Sequence, residues 1–205
     1  PRDWRSDVCS SDLYPTVFLV ASSVPANTLR EFVDLVRKNP GQYNFATAGV
    51  GTAQHIWGEI VLKQLNLRME TVHYKGAAPA HQDMIAGRID YLCEQSSTGV
   101  PQIEGGMLKG IAVMGPQRLS VLPNLPTSKE AGMPDFQASA WNALFAPKGT
   151  PKPILDKLAD ALDKALDDEA TRKRLLELGS DIPGKDRRGQ AALSSLRSEE
   201  HTSEL

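Results

Sequence analysis

The side chains most able to do chemistry gather in one short stretch. Residues 43–60 read YNFATAGVGTAQHIWGEI. Residues 43–46 read as a buried strand, Gly49 and Gly51 as a turn, and the residues from Thr52 through His55 as the start of a helix. A strand passing through a glycine turn into a helix start is suited to trapping an anion. The first N–H groups of a helix have no partner within it, and the aligned peptide dipoles place partial positive charge there. The hydroxyls of Thr47 and Thr52 and the ring of His55 add side-chain donors, and Ala48 and Val50 complete the loop. A carboxylate is the anion we expect here. The same positive helix end disfavours an imidazolium, so His55 should donate as a neutral ring. A plainer reading stands beside this one: glycine pairs at strand–helix junctions also serve simple chain reversal, and a lone histidine on a helix is ordinarily structural.

Other chemistries fit less well. Gln54 stands where the dinucleotide fingerprint needs a third small residue, and no Gly-Lys-Ser/Thr occurs, so both nucleotide-binding loops are excluded. His55, His73 and His81 lack metal-ligand spacing, so no metal is expected. No nucleophile–base–orienter set is visible, which leaves no catalytic residue to name. Cys93 reads as a small buried apolar residue, and Trp141 and Phe145 as core. Lys75 reads as either a solvated cation or an anion-steering one. Charge is close to balance, with 23 basic and 25 acidic side chains, which gives no reason to expect nucleic acid or an anionic membrane as partner. No apolar run is long enough to span a bilayer.

The elements that must position the loop follow in an alternating order. Residues 16–21 (TVFLVA) read as a buried strand. Thr28 and Glu31 form a capping box, and Leu29, Phe32, Val33 and Val36 form the inner face of the helix that follows. The helix after the glycine loop is expected to bury Ile56, Trp57, Ile60, Val61 and Leu65. Strands are expected at 69–74, 89–93 and 110–114, and helices at 79–86 and 100–104. This β/α alternation predicts a mostly parallel sheet covered by helices, with ligands held past the C-terminal strand ends. Those ends are 47–52, 75–78 and 94–97, all small or polar. Further on we expect a short helix at 127–131, a strand at 137–146, a helix carrying Ile154, Leu155, Leu158, Leu162 and Leu166, and another over 169–178 closed by Gly179. A last short strand at 180–183 precedes a helix start too short to pack.

The two ends look foreign. The DNA string agatcggaagagcacacgtctgaactc translates to RSEEHTSEL, residues 197–205, and its reverse complement translates in one frame to SDVCSSDL, residues 6–13. That string resembles a common sequencing adapter, so residues 1–13 and 197–205 are expected to be artefact tails and are set aside from fold reasoning. Cys93 is then the only cysteine left, and it carries no information on redox compartment.

Taken in order, YNFATAGVGTAQH, VHYKGAAPAHQDMIAGRID, LKGIAVMG with LPNLPTSKEAG, and AWNALFAPKGTPKPI resemble the solute receptors of tripartite tricarboxylate transporters, the TctC or Bug family. The likeness covers nearly all of residues 15–193. It implies an α/β fold of the type II periplasmic-binding-protein kind, made of one complete lobe (24–137) and an incomplete second lobe (14–23 with 138–196). It implies a monomeric periplasmic receptor that binds a small organic acid, a di- or tricarboxylate, for membrane permease subunits, without cofactor or catalysis. In the family, the loop matching Thr47, Ala48, Gly49, Val50, Gly51, Thr52 and His55 holds a ligand carboxylate. The turn matching Tyr74, Lys75, Gly76 and Ala78 lines the same cleft, and the segment of Glu94 and Gln95 adds a polar contact. Glu94 departs from this pattern, since it would repel an acid. The family's N-terminal proline- and glycine-rich segment and its C-terminal helix end find no match here, so the second lobe should expose apolar surface and this chain should bind weakly. The competing reading is an α/β enzyme acting on a carboxylate or phosphate, with His55 as acid or base.

Overall fold

A computed structural model describes the backbone of residues 5–133 and 136–195, with side chains from Tyr14 onward. The expected tail at 197–205 lies outside the described residues. The chain divides into two units, Pro15–Ala140 and Pro1–Tyr14 with Trp141–Leu205. Strands β1 (Arg5–Ala21) and β6 (Ser139–Pro147) both run through the division.

In the larger unit the sheet is built from β1, β2 (Asn44–Thr47), β3 (Glu70–His73), β4 (Tyr91–Gln95) and β5 (Leu108–Val113), in the order β3-β2-β4-β1-β5, and β6 also pairs with β1. β2 runs parallel to β3 and β4, while β1 is antiparallel to β4 and β5. The sheet is therefore mixed, with one reversed strand between parallel neighbours. Residue pattern does not reveal strand direction: residues 17–21 of β1 are apolar on both faces because both faces are covered, whichever way the strand runs. Residues 16–21, expected with the C-terminal part of the chain, lie between β4 and β5 in this unit.

Helices pack on both faces of this sheet. On one side the Phe18 and Tyr91 rings stack at 4.2 Å, and Phe32 meets Phe18 edge-on at 5.2 Å. Such pairs add about 0.5–1.5 kcal/mol beyond area burial. On the other side Val17, Leu19, Ala46, Ala80, Met84, Leu92 and Val100 form a second cluster. Helix α1 (Leu29–Lys38) starts at its expected cap, with Thr28 Oγ1 accepting the Glu31 N–H at 3.2 Å, while Glu31 reaches one residue further back than the capping box requires and accepts the Asn27 N–H at 2.8 Å.

Helices α2 (Ala53–Gln64), α3 (Ala77–Ile85) and α4 (Ser96–Glu104) each follow a strand end closely. The inner face of α2 differs from expectation. Gly58, Val61 and Leu62 are buried and Trp57 and Leu65 half-buried, but Ile56 is 51 % and Ile60 39 % exposed. The Phe45 ring explains this: a Cβ on Gly58 would stand 2.4 Å from its Cε2, so the helix turns its glycine, not its isoleucines, to the sheet. Helix α4 begins at Ser96 rather than near Val100. Polar Ser96 and small Gly99 concealed the start, yet both are buried, and a Cβ on Gly99 would meet Val17 at 2.4 Å.

In place of the helix expected at 127–131, Thr127 bridges to Val113 and residues 128–131 form turns. The capping pair itself is made: the Thr127 N–H donates to Glu130 at 2.8 Å and the Glu130 N–H to Thr127 Oγ1 at 3.2 Å. Gly132, at φ +98°, then turns the chain before a helix can extend.

In the smaller unit, Ala146 of β6 packs against Leu155, Ala159 and Leu162 of α5 (Lys152–Asp167). Helix α6 (Glu169–Glu177) ends at Gly179, φ +70°, as expected. The strand expected at 180–183 reduces to one bridge residue, Asp181. Residues 189–195 are helical, and Leu193 is fully buried, so this short helix does pack. Leu144, Ile154, Leu158 and Leu176 are exposed.

Candidate functional site

The ends of β2, β3 and β4 are neighbours in the sheet, so the heads of α2, α3 and α4 emerge along one edge of it. None of the three helices carries an acidic residue in its first turn, and α3 and α4, capped by Gly76 and Gln95, have no side-chain cap. Helix heads usually acquire Asp, Glu or a hydroxyl cap. Their scarcity at three adjacent heads leaves N–H groups and dipole charge available to an outside anion.

The glycine loop is internally braced. Thr47 is fully buried; its Oγ1 accepts the Gly49 N–H at 3.2 Å and lies 2.8 Å from His73 Nδ1. Thr52 caps α2, its Oγ1 donating to Gly49 O at 2.7 Å and accepting the His55 N–H at 3.4 Å. His55 Nδ1 accepts the Gly51 N–H at 3.1 Å, which leaves the neutral ring's proton on Nε2. The rings of His55 and His73 meet edge-on at 4.9 Å. Gly49 at φ +137° and Gly51 at φ +76° hold backbone shapes that side chains strain. Val50, at the tip, is 75 % exposed.

The next turn is tied to this loop. The Tyr74 N–H donates to Thr47 O at 2.9 Å and the Gly76 N–H to Ala48 O at 3.0 Å. Gly76, at φ +107°, caps α3, and Ala78 is its second residue. Lys75 is exposed. The Tyr74 hydroxyl donates to Asp83 Oδ2 at 2.6 Å, and Arg88 pairs with the same carboxylate. Burial, then this bond and the charge of Asp83, push the Tyr74 phenol up to about 12. The Arg88 bond, then the one from Tyr74, hold Asp83 below its ordinary range.

Glu94 does not face the site. It is 1 % exposed, and its carboxylate takes the Gln95 N–H at 2.8 Å, His81 Nε2 at 3.0 Å and the Gln54 amide at 3.4 Å. The repulsion expected from its residue type is thus absorbed beneath the helix heads, while Gln95 at the next position caps α4. His73 and His81 were weighed in the sequence only as metal ligands. Their partners depend on the register of β2 with β3 and on helix placement, neither of which local sequence reveals. Among the described residues no cluster of His, Cys, Asp and Glu could hold a metal ion, and no helix is long and apolar enough to cross a membrane. Cys93 is buried, its thiol pushed up to about 12 by that burial.

Comparison with known proteins places the fold. The profile of the tripartite tricarboxylate transporter family receptor (TctC) matches residues 5–197, and the chain belongs to that family. A protein of Agrobacterium vitis from the TAR-I ttuE-ttuC' intergenic region is 37 % identical over 179 residues, covering 87 % of this chain and 52 % of its own length. The chain thus spans about half the length of the curated relatives it matches. Among solved structures, MatC from Rhodopseudomonas palustris, with bound malate, is 34 % identical with a TM-score of 0.90, covering 97 % of this chain and 68 % of its own. The periplasmic binding protein BugD is 31 % identical with a TM-score of 0.89, covering 95 % of this chain and 65 % of its own. The fold is the mixed α/β fold of TctC/Bug binding proteins.

Proposed function

We propose that the chain is part of a periplasmic solute receptor that holds a small organic acid, a di- or tricarboxylate, for a membrane permease of the tripartite tricarboxylate type, and that it is not an enzyme. The ligand carboxylate sits at the edge formed by residues 47–52, 74–78 and 95, where the heads of α2 and α3 supply N–H groups, Gln95 supplies its amide, and Thr52 and His55 border the anion. The observation that carries this reading is the row of three helix heads without an acidic first-turn residue. The malate bound in MatC supports a hydroxydicarboxylate as the first ligand to test.

Calorimetric titration of the chain with L-malate should show binding with a dissociation constant on the order of a millimolar or tighter. Malamide, its uncharged diamide, should give no heat of binding. Malamide bound as well as malate would rule out helix-head capture of a carboxylate.

A further inference from the structure

We propose that His55 is a proton latch on the carboxylate loop. Its Nδ1 accepts the Gly51 N–H at 3.1 Å. An accepting ring nitrogen carries no proton, so in this state the imidazole is neutral. Protonation places an N–H where the acceptor was. Two donors then face each other and the bond must break. Gly51 has room to respond: it is exposed, and a Cβ built on it would meet nothing within 4 Å.

The broken latch leaves the Nδ1–H of a cationic ring and the Gly51 N–H side by side at the head of α2. One carboxylate can accept from both, and the bond to the imidazolium is charge-assisted. Anion and proton therefore bind cooperatively, and the anion is held more tightly as pH falls through the imidazole range. The groups facing the ring set the balance. Glu59, on the same helix, stands 3.8 Å from Nε2 and favours the cation. His73, from β3, opposes it when charged, as does the head of α2. The coupling, but not the latch itself, rests on the carboxylate reading above.

Two measurements test this. In the chain without ligand, followed by nitrogen-15 NMR between about pH 5 and 8, the Gly51 amide should shift in step with the His55 ring, and in His55→Gln it should be indifferent to pH. A Gly51 amide that ignores His55 protonation overturns the latch, whatever binds. In calorimetry, L-malate should bind about tenfold tighter near pH 6 than near pH 8. His73→Gln should keep this dependence and His55→Gln should lose it. The same dependence in His55→Gln, or the opposite sign in the native chain, overturns the coupling. Absence of malate binding at both pH values counts against the carboxylate reading and the coupling together, while the Gly51 amide still decides the latch.

Discussion

At the scale of single residues, Tyr74 separates a side chain's presence at the site from its use there. Its hydroxyl is committed to Asp83, which Arg88 also holds, so its contribution at the loop comes through its backbone and ring. The phenol is raised from an ordinary 10.0 to about 12. A raised folded-state value favours the protonated form. The stabilisation is therefore full below the ordinary value and is lost as pH rises toward about 12. Spectrophotometric titration, compared with Tyr74→Phe to remove the other tyrosines, should find this phenol ionising late, and Asp83→Asn should bring it down. An ordinary titration of Tyr74 in the native chain would contradict the pairing. The identities of Thr47, Thr52, Gly49, Gly51 and His55 were legible because each type has a local reason to sit at a strand–turn–helix junction. Their partners were not. Thr47 meets His73 because β2 and β3 are parallel in one register, and Glu94 meets His81 because α3 packs back against the sheet, where it contacts β2, the neighbour of β4; neither fact is local.

At the scale of elements, α2 shows where periodicity misleads. Apolar type alone groups Ile56 and Ile60 with Val61 on the inner face and overlooks Gly58 and Leu62. Close packing decided otherwise: the Phe45 ring needs the space that only Gly58 leaves. Gly58→Ala gains about 1 kcal/mol in helix propensity but overpacks the contact, a cost of about 1–3 kcal/mol. The net result should be a loss of stability of up to about 2 kcal/mol, read as a lower urea midpoint with an unchanged slope. A stabilised variant would show that α2 sits differently on the sheet. The same principle governs α4, where Ser96 is polar in type yet buried and Gly99 leaves room for Val17. The order of strands and helices in the larger unit was legible because turn residues punctuate it: Asn39, Gly41, Gly76 and Gly87 each stand at or beside a helix terminus. The reversed direction of β1 was not, since a strand covered on both faces has no pattern that distinguishes its two senses.

At the scale of the molecule, the larger unit brings three helix heads to one edge of its sheet. Three parallel strands end together, three helices begin there, and the one nearby buried carboxylate, Glu94, is engaged by His81, Gln54 and the Gln95 N–H. This follows from topology more than from any motif, because parallel neighbours connected by helices must bring the helix heads to the same edge. Elsewhere, a groove of about 500 Å³ between Glu59 and Met69 toward the far end of α2 offers Lys63 and Arg68 but no helix head. The two locations offer different physics to an anion, fixed peptide dipoles against surface cations. The most direct test is an amide shift map of the chain titrated with L-malate. The largest shifts should fall at Gly51, Ala53, Gln54, Ala77, Ala78 and Gln95. Shifts confined to residues 59–69, or a saturating heat of binding with no shift at the three helix heads, would contradict the account.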